Sequence, residues 1–202
     1  MKKIILPILL VILISSCEEA PQRTADGIKA YMDFAPGSYW VYNQYSVTED
    51  GQEILKNTRD SVYVAGDTTI GKHVFRVIKG TTLNSTFTTI RRDSGDFELS
   101  PSNRITMSID PGHHSYDTSH VAPVNETFFY HTFLYDDNSS VVVPAGKFNS
   151  IELTQEVKTE SAELKPCRFH YAKGVGLVRK EVSTYPNKAE YVLKLVRYKI
   201  VD

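Results

Sequence analysis

Apolar and polar residues alternate in short runs along most of the chain, and turn-forming residues separate the runs. Residues 38–48 ("SYWVYNQYSVT") stop at Glu49-Asp50-Gly51, and residues 54–65 stop at Gly66-Asp67. Residues 73–79 end at Gly80, and residues 83–92 end at Asp93-Ser94-Gly95-Asp96. Shorter runs cover 97–100 and 104–110. Residues 127–135 are followed by Asp136-Asp137-Asn138, and further runs cover 141–143, 148–158, 168–172, 176–184 and 189–201. Period-two runs spaced by roughly 8–14 residues predict an antiparallel all-β fold. No long window carries the 3.6-residue period of a capped helix, so helix content is expected to be low. Residues 28–34 are expected to form one short helical turn ahead of the strands. The expected architecture is a half-barrel or open barrel, with a two-layer sandwich as the alternative, because strand order is not written in the pattern.

Three runs are apolar on both strand faces. In "TFFYHTFLY" (127–135), Phe128, Tyr130 and Leu134 share one face, and Phe129, His131, Phe133 and Tyr135 share the other. Such a strand needs cover on both sides, from a second layer, a partner, or an apolar cavity. Residues 39–42 ("YWVY") have the same character, and residues 191–196 have it more weakly. Residues 110–125 ("DPGHHSYDTSHVAPVN") make up the longest stretch without strand pattern and read as a loop. Long loops inside compact domains are uncommon and often functional.

The start of the chain follows a different pattern. Lys2 and Lys3 precede an apolar run over 4–14, and small residues Ser15-Ser16 follow. That layout predicts a secretory signal over 1–16, too short for a bilayer-spanning helix of about 20 apolar residues. The run closes at Cys17, one of only two cysteines. Ile14-Ser15-Ser16-Cys17 resembles the lipobox of bacterial lipoproteins, in which the cysteine thiol carries a diacylglycerol and becomes the first mature residue. The resemblance makes Cys17 a lipid attachment point and the membrane a partner through that anchor. It would leave Cys167 without an intrachain partner, as a buried free thiol or an intermolecular one. Residues 17–27 ("CEEAPQRTADG") then read as a flexible lipidated tether, and residues 28–202 as a single β-rich domain. The acidic pair Glu18-Glu19 resembles the export signal of surface lipoproteins in Bacteroidetes-type bacteria. Loss of Lys2 and Lys3 would take the formal charge from −1 to about −3. With no Lys/Arg-rich run, nucleic acid is not an expected partner.

Composition supports the strand reading: 12 Tyr, 9 Phe and one Trp suit pleated, half-buried surfaces. "VVVPAGKFNSIEL" (141–153), "YAKGVGLVRKEV" (171–182) and "FAPGSYWVYNQYS" (34–46) resemble segments of uncharacterised envelope lipoproteins of Bacteroidetes-type bacteria. The resemblance implies an outer-membrane lipoprotein with a curved antiparallel sheet and an apolar concave face, and it implies no activity. The residues also make local sense. Pro144 fixes φ in a tight turn closed by Gly146, and Gly174 and Gly176 allow a bulge or a close approach of backbones.

Candidate chemistry is sparse. His113, Asp117 and His120 are side chains of the kinds that bind transition metals, close together in sequence, and they are the candidate metal ligands. No G-x-S-x-G elbow, phosphate loop or dinucleotide fingerprint is present. The chain is therefore read as a non-enzyme with no cofactor. The leading expectation is binding of a small apolar or amphipathic ligand on a concave β surface, lined by Trp40, Tyr42, Phe129, His131, Phe133 and Tyr135. The alternatives are a scaffolding lipoprotein that meets an envelope protein partner, and a metal-dependent hydrolase using the histidine loop.

Overall fold

The computed structural model describes residues 27–121, 125–185 and 189–201. The signal, Cys17 and nearly all of the tether lie outside the described residues. The chain order is α1 (Lys29–Met32), β1 (Tyr39–Val47), β2 (Glu53–Ile70), β3 (His73–Thr82), β4 (Ser85–Ser94), β5 (Phe97–Leu99) and β6 (Ile105–Ser108). It continues with β7 (Ser115–Val121), β8 (Glu126–Val143), β9 (Gly146–Thr159), β10 (Cys167–Ala172), β11 (Gly176–Ser183) and β12 (Glu190–Lys199).

The twelve strands form one antiparallel sheet in the order β6-β5-β4-β3-β2-β1-β12-β11-β10-β9-β8-β7. Every pairing except β1 with β12 joins strands adjacent in the chain. The two ends of that order, β6 and β7, are also consecutive in the chain, and they lie against each other. Arg104, just ahead of β6, pairs with Asp117 of β7 across this seam at 2.5 Å. The sheet thus nearly closes into a barrel, as the open-barrel expectation holds, and is not split into a sandwich. Bulges bend the strands so that closure is feasible. They fall between Val41 and Tyr42, Val64 and Gly66, Leu134 and Asp136, and His170 and Tyr171.

Several boundaries differ from the pattern. Gly66-Asp67 does not end β2; the strand passes through a bulge there and turns after Ile70. Gly80 lies inside β3, where a Cβ would sit 2.2 Å from the Ser61 carbonyl oxygen, so its role is a close approach between β2 and β3. Asp136-Asp137-Asn138 form irregularities within one 18-residue strand and not a turn between two. The expected loop over 110–125 contains β7, which pairs with β8 from Ser115↔Thr132 to Val121↔Glu126. Five of its seven residues are Ser, Thr, Asp or His, since an edge strand needs no apolar face, and Tyr116 and Val121 alone do not make the alternation that reveals strands.

Among the described residues, three apolar clusters fill parts of the interior. Helix α1 lies between the β4–β5 and β10–β11 turns: the Ile28 amide donates to the Gly95 carbonyl at 2.9 Å and the Gly174 amide to the Ala30 carbonyl at 2.7 Å. Ile28, fully buried, packs there with Met107 and Leu153. A second cluster joins Phe128, Val157, Leu164 and Cys167. The largest surrounds Trp40 and Tyr42 and includes Phe34, Val178, Leu193 and Leu195. The β8–β9 hairpin, turning at Pro144-Ala145, reaches this cluster, and the Ala145 amide donates to the Leu195 carbonyl at 3.0 Å.

Candidate functional site

Bordered by members of these clusters, the barrel encloses a partly open cavity of about 460 Å³. Its wall takes residues from α1 and from eleven of the twelve strands, all but β7, so no local segment contains it. Ligand pockets of about 300–1,000 Å³ are the usual size for small-molecule sites.

One side of the wall is aromatic and aliphatic. Alternation along β1 turns Trp40 and Tyr42 inward, and both are buried. The Trp40 indole N–H donates to the Val175 carbonyl at 2.5 Å, and the Tyr42 hydroxyl donates to the Leu177 carbonyl at 2.9 Å. These bonds tie β1 to the β10–β11 turn and to β11, satisfying two polar atoms that burial would otherwise penalise. Phe34 meets the Trp40 ring edge-on, with centroids 5.2 Å apart. Gly176 backs this pair. Its φ of +95° favours glycine, and a Cβ there would lie 3.1 Å from Phe34 and 3.3 Å from the Trp40 nitrogen. Burial pushes the Tyr42 hydroxyl well above its ordinary pKa, so it remains a neutral donor.

The other side is polar. Arg91 of β4 reaches Glu98 of β5 through two contacts of 2.9 and 3.2 Å, and the Thr106 hydroxyl donates to the same carboxylate at 2.7 Å. Burial works against the Arg91 charge, yet the Glu98 carboxylate more than offsets it and the guanidinium pKa is raised. Lys180 of β11 also lines the cavity; burial lowers its pKa, and the nearby Arg91 charge adds to that. Tyr171 of β10 completes this side, its pKa raised by burial. Thr132 and Gln155 join across β8 and β9 through a 3.0 Å hydrogen bond.

The structure separates the predicted lining residues. Trp40 and Tyr42 line the cavity. Phe129, His131, Phe133 and Tyr135 do not, and this placement is a correction to the expected set. The inward members of β8 are the even ones: Phe128 is buried, Thr132 lines the cavity and Leu134 packs with the Leu153 cluster. The odd members face outward, with Phe129 45% and Tyr135 66% exposed. There they build an aromatic surface with β7. Tyr116 stacks on His131 at 4.7 Å, and His114 stacks on Phe133 at 5.4 Å. His114 Nδ1 lies 2.9 Å from His131 Nε2, and His131 Nδ1 lies 3.1 Å from Glu156.

The candidate metal ligands are not brought together. His113 rests edge-on against Phe97, Asp117 is held by Arg104 and His120 is exposed. Asp117 and His120 are three apart on a strand, so their side chains leave opposite faces. Among the described residues no group of three metal-ligating side chains converges. Cys167 is a buried free thiol whose pKa is raised by burial, the opposite of an activated nucleophile.

Arg91, Glu98, Tyr171 and Lys180 were not foreseen from the sequence. Lys180 sits in the run Arg179-Lys180-Glu181, where three adjacent charges conceal which one points inward.

The fold has a solved counterpart. A protein assigned as a lipoprotein from Parabacteroides distasonis superposes with a TM-score of 0.54 over 84% of this chain and 97% of that one, at 12% identity. An assigned exported protein with a YmcC-like fold from Bacteroides fragilis gives a TM-score of 0.44 over 82% and 98% of the two chains, at 17% identity. The first likeness is one of fold. No family model and no curated protein matches the sequence.

Proposed function

We propose that this chain is a non-catalytic, lipid-anchored protein of the bacterial cell envelope that binds a small apolar or amphipathic ligand inside its barrel. The cavity of about 460 Å³ carries the reading: an aromatic and aliphatic wall holds a chain, and a few fixed polar groups orient it. The anchor reading rests on Ile14-Ser15-Ser16-Cys17, with the outer membrane as the site of attachment, and the fold likeness to an assigned lipoprotein supports an envelope setting. A non-catalytic role fits the wall chemistry. Its one carboxylate is committed to Arg91 and Thr106, and its tyrosines are held protonated.

Trp40 is the single tryptophan and lines the cavity, so its emission reports occupancy. Titration with dodecanol as an uncharged probe is expected to shift that emission to the blue in a saturable way. Filling the cavity with Thr132→Phe should abolish the shift. An emission spectrum indifferent to the probe would overturn the reading.

A second reading keeps one observation of its own. The outward surface of Tyr116, His131, Phe133, Phe129 and Tyr135 has the aromatic character of protein interfaces, as a scaffolding lipoprotein would need. Crosslinking from Tyr116 in the native envelope tests it, with recovery of no partner as the contrary result.

A further inference from the structure

The cavity wall carries two cations, Arg91 and Lys180, and one carboxylate, Glu98. Glu98 is used up: it accepts from Arg91 twice and from Thr106. Lys180 has no hydrogen bond or ion pair among the described residues, and its charge lies 5.5 Å from the ring centre of Phe169. Asp60 is close enough to act on Lys180 electrostatically, but it does not line the cavity. Its Oδ2 accepts from Gln44 and the Leu83 amide, and its Oδ1 is buried without a hydrogen bond, to Lys180 or to any other described residue. The Tyr171 hydroxyl, also on the wall and within the field of Arg91, makes no hydrogen bond among the described residues.

An ammonium is a strongly hydrated point charge with three donors, and shielding it from bulk water is costly unless acceptors reach it. The protein sets a cation and a hydroxyl on a mostly apolar wall, and neither makes a hydrogen bond among the described residues. Size narrows the occupant. At about 460 Å³ the cavity falls in the range of roughly 300–1,000 Å³ usual for sites that take one small molecule. A single acyl chain with its head is a ligand of that class.

We infer that the cavity binds a single-chain amphiphile with an anionic head, of the fatty-acid class, its carboxylate meeting Lys180 and its chain lying along Trp40, Leu177 and Leu193. This rests on the interior-binding reading above and adds the head-group chemistry to it. Lys180 is the specificity-determining residue, since an uncharged head can accept a hydrogen bond from its ammonium but leaves the charge unneutralised.

The test uses the full chain in neutral phosphatidylcholine vesicles, photolabelled by diazirine-bearing dodecanoic acid or by the matching dodecanol. Labelled peptides are mapped by mass spectrometry, and labelling outside the barrel measures membrane partition. In the unaltered chain the acid should label β1 and β11 peptides about tenfold more than the alcohol, the effect of one charge-assisted hydrogen bond. Lys180→Met should erase that preference and Lys180→Arg should keep it. Equal interior labelling by both probes overturns the head-group inference and leaves interior binding standing. A preference that survives in Lys180→Met overturns the role of Lys180. Absence of interior labelling by either probe overturns both readings. The acid-to-alcohol comparison needs no variant, so it stands even if Lys180→Met fails to fold.

Discussion

Trp40 carries two separable contributions to stability, and a pair of substitutions divides them. The ring is 6% exposed, meets Phe34 edge-on and is backed by Gly176, while its N–H is bonded to the Val175 carbonyl. Trp40→Phe keeps an aromatic ring and removes the donor. Leaving a buried carbonyl unanswered costs about 1–3 kcal/mol. Here the cavity can admit a water to the vacated position, so about 1–1.5 kcal/mol is expected. Trp40→Ala removes the ring as well. Tryptophan truncation in cores costs about 3–5 kcal/mol. Because one side of Trp40 already faces open volume, fewer packing contacts are lost than in a closed core, which places the loss near 3 kcal/mol. Urea denaturation followed by far-UV circular dichroism measures both, with unchanged m-values showing that the unfolding reaction is the same. A loss below about 1 kcal/mol for Trp40→Ala would refute the packing described for it. Equal losses for Phe and Ala would mean that the bond, and not the ring, holds this wall.

Three further outcomes follow from other parts of the barrel. The Cys167 thiol, buried and with its pKa raised by burial, should resist Ellman's reagent in the native protein and react fully in denaturant; fast native reaction would contradict its placement. Gly80→Ala should destabilise by about 3 kcal/mol or more, judged by its urea midpoint, because the new methyl meets the Ser61 carbonyl oxygen and Val62 Cα, and neither is free to move. Burial lowers the His170 pKa, Glu181 opposes this and Arg179 adds to it. Above pH 6.5 the ring is neutral in both states; as the pH falls through 6.5 the unfolded chain takes the proton first, so stability drops until the lower folded pKa is passed. His170→Gln should flatten that stretch of the stability–pH curve, and an unchanged slope would assign it to other groups.

The strands were legible where one face is apolar and turn residues mark the ends, as in β1 and in β9 through β12. β7 was not, because an edge strand whose seven residues include five of Ser, Thr, Asp or His carries no clear alternation. β8 shows the limit of pattern reading most clearly. Its two faces are both aromatic, and only the barrel's curvature decides which one is inside. The face with His131 and Tyr135 offered more recognisable chemistry, yet Phe128, Thr132 and Leu134 face the interior. The cavity itself was beyond sequence reading, since nearly every strand gives it only a few residues and closure alone brings them together. Lys180 became meaningful only once β11 was placed in register with β10 and β12, which sorts Arg179 and Glu181 outward with Glu53 and Lys194.

The central claim is that the barrel interior is occupied by a small amphipathic molecule. Native mass spectrometry on the chain starting at Glu18, secreted without its anchor and purified without detergent, tests this most directly. A single added mass of one-chain size, absent from Thr132→Phe, is the predicted result. A bare chain recovered from lipid-replete cells would contradict the claim.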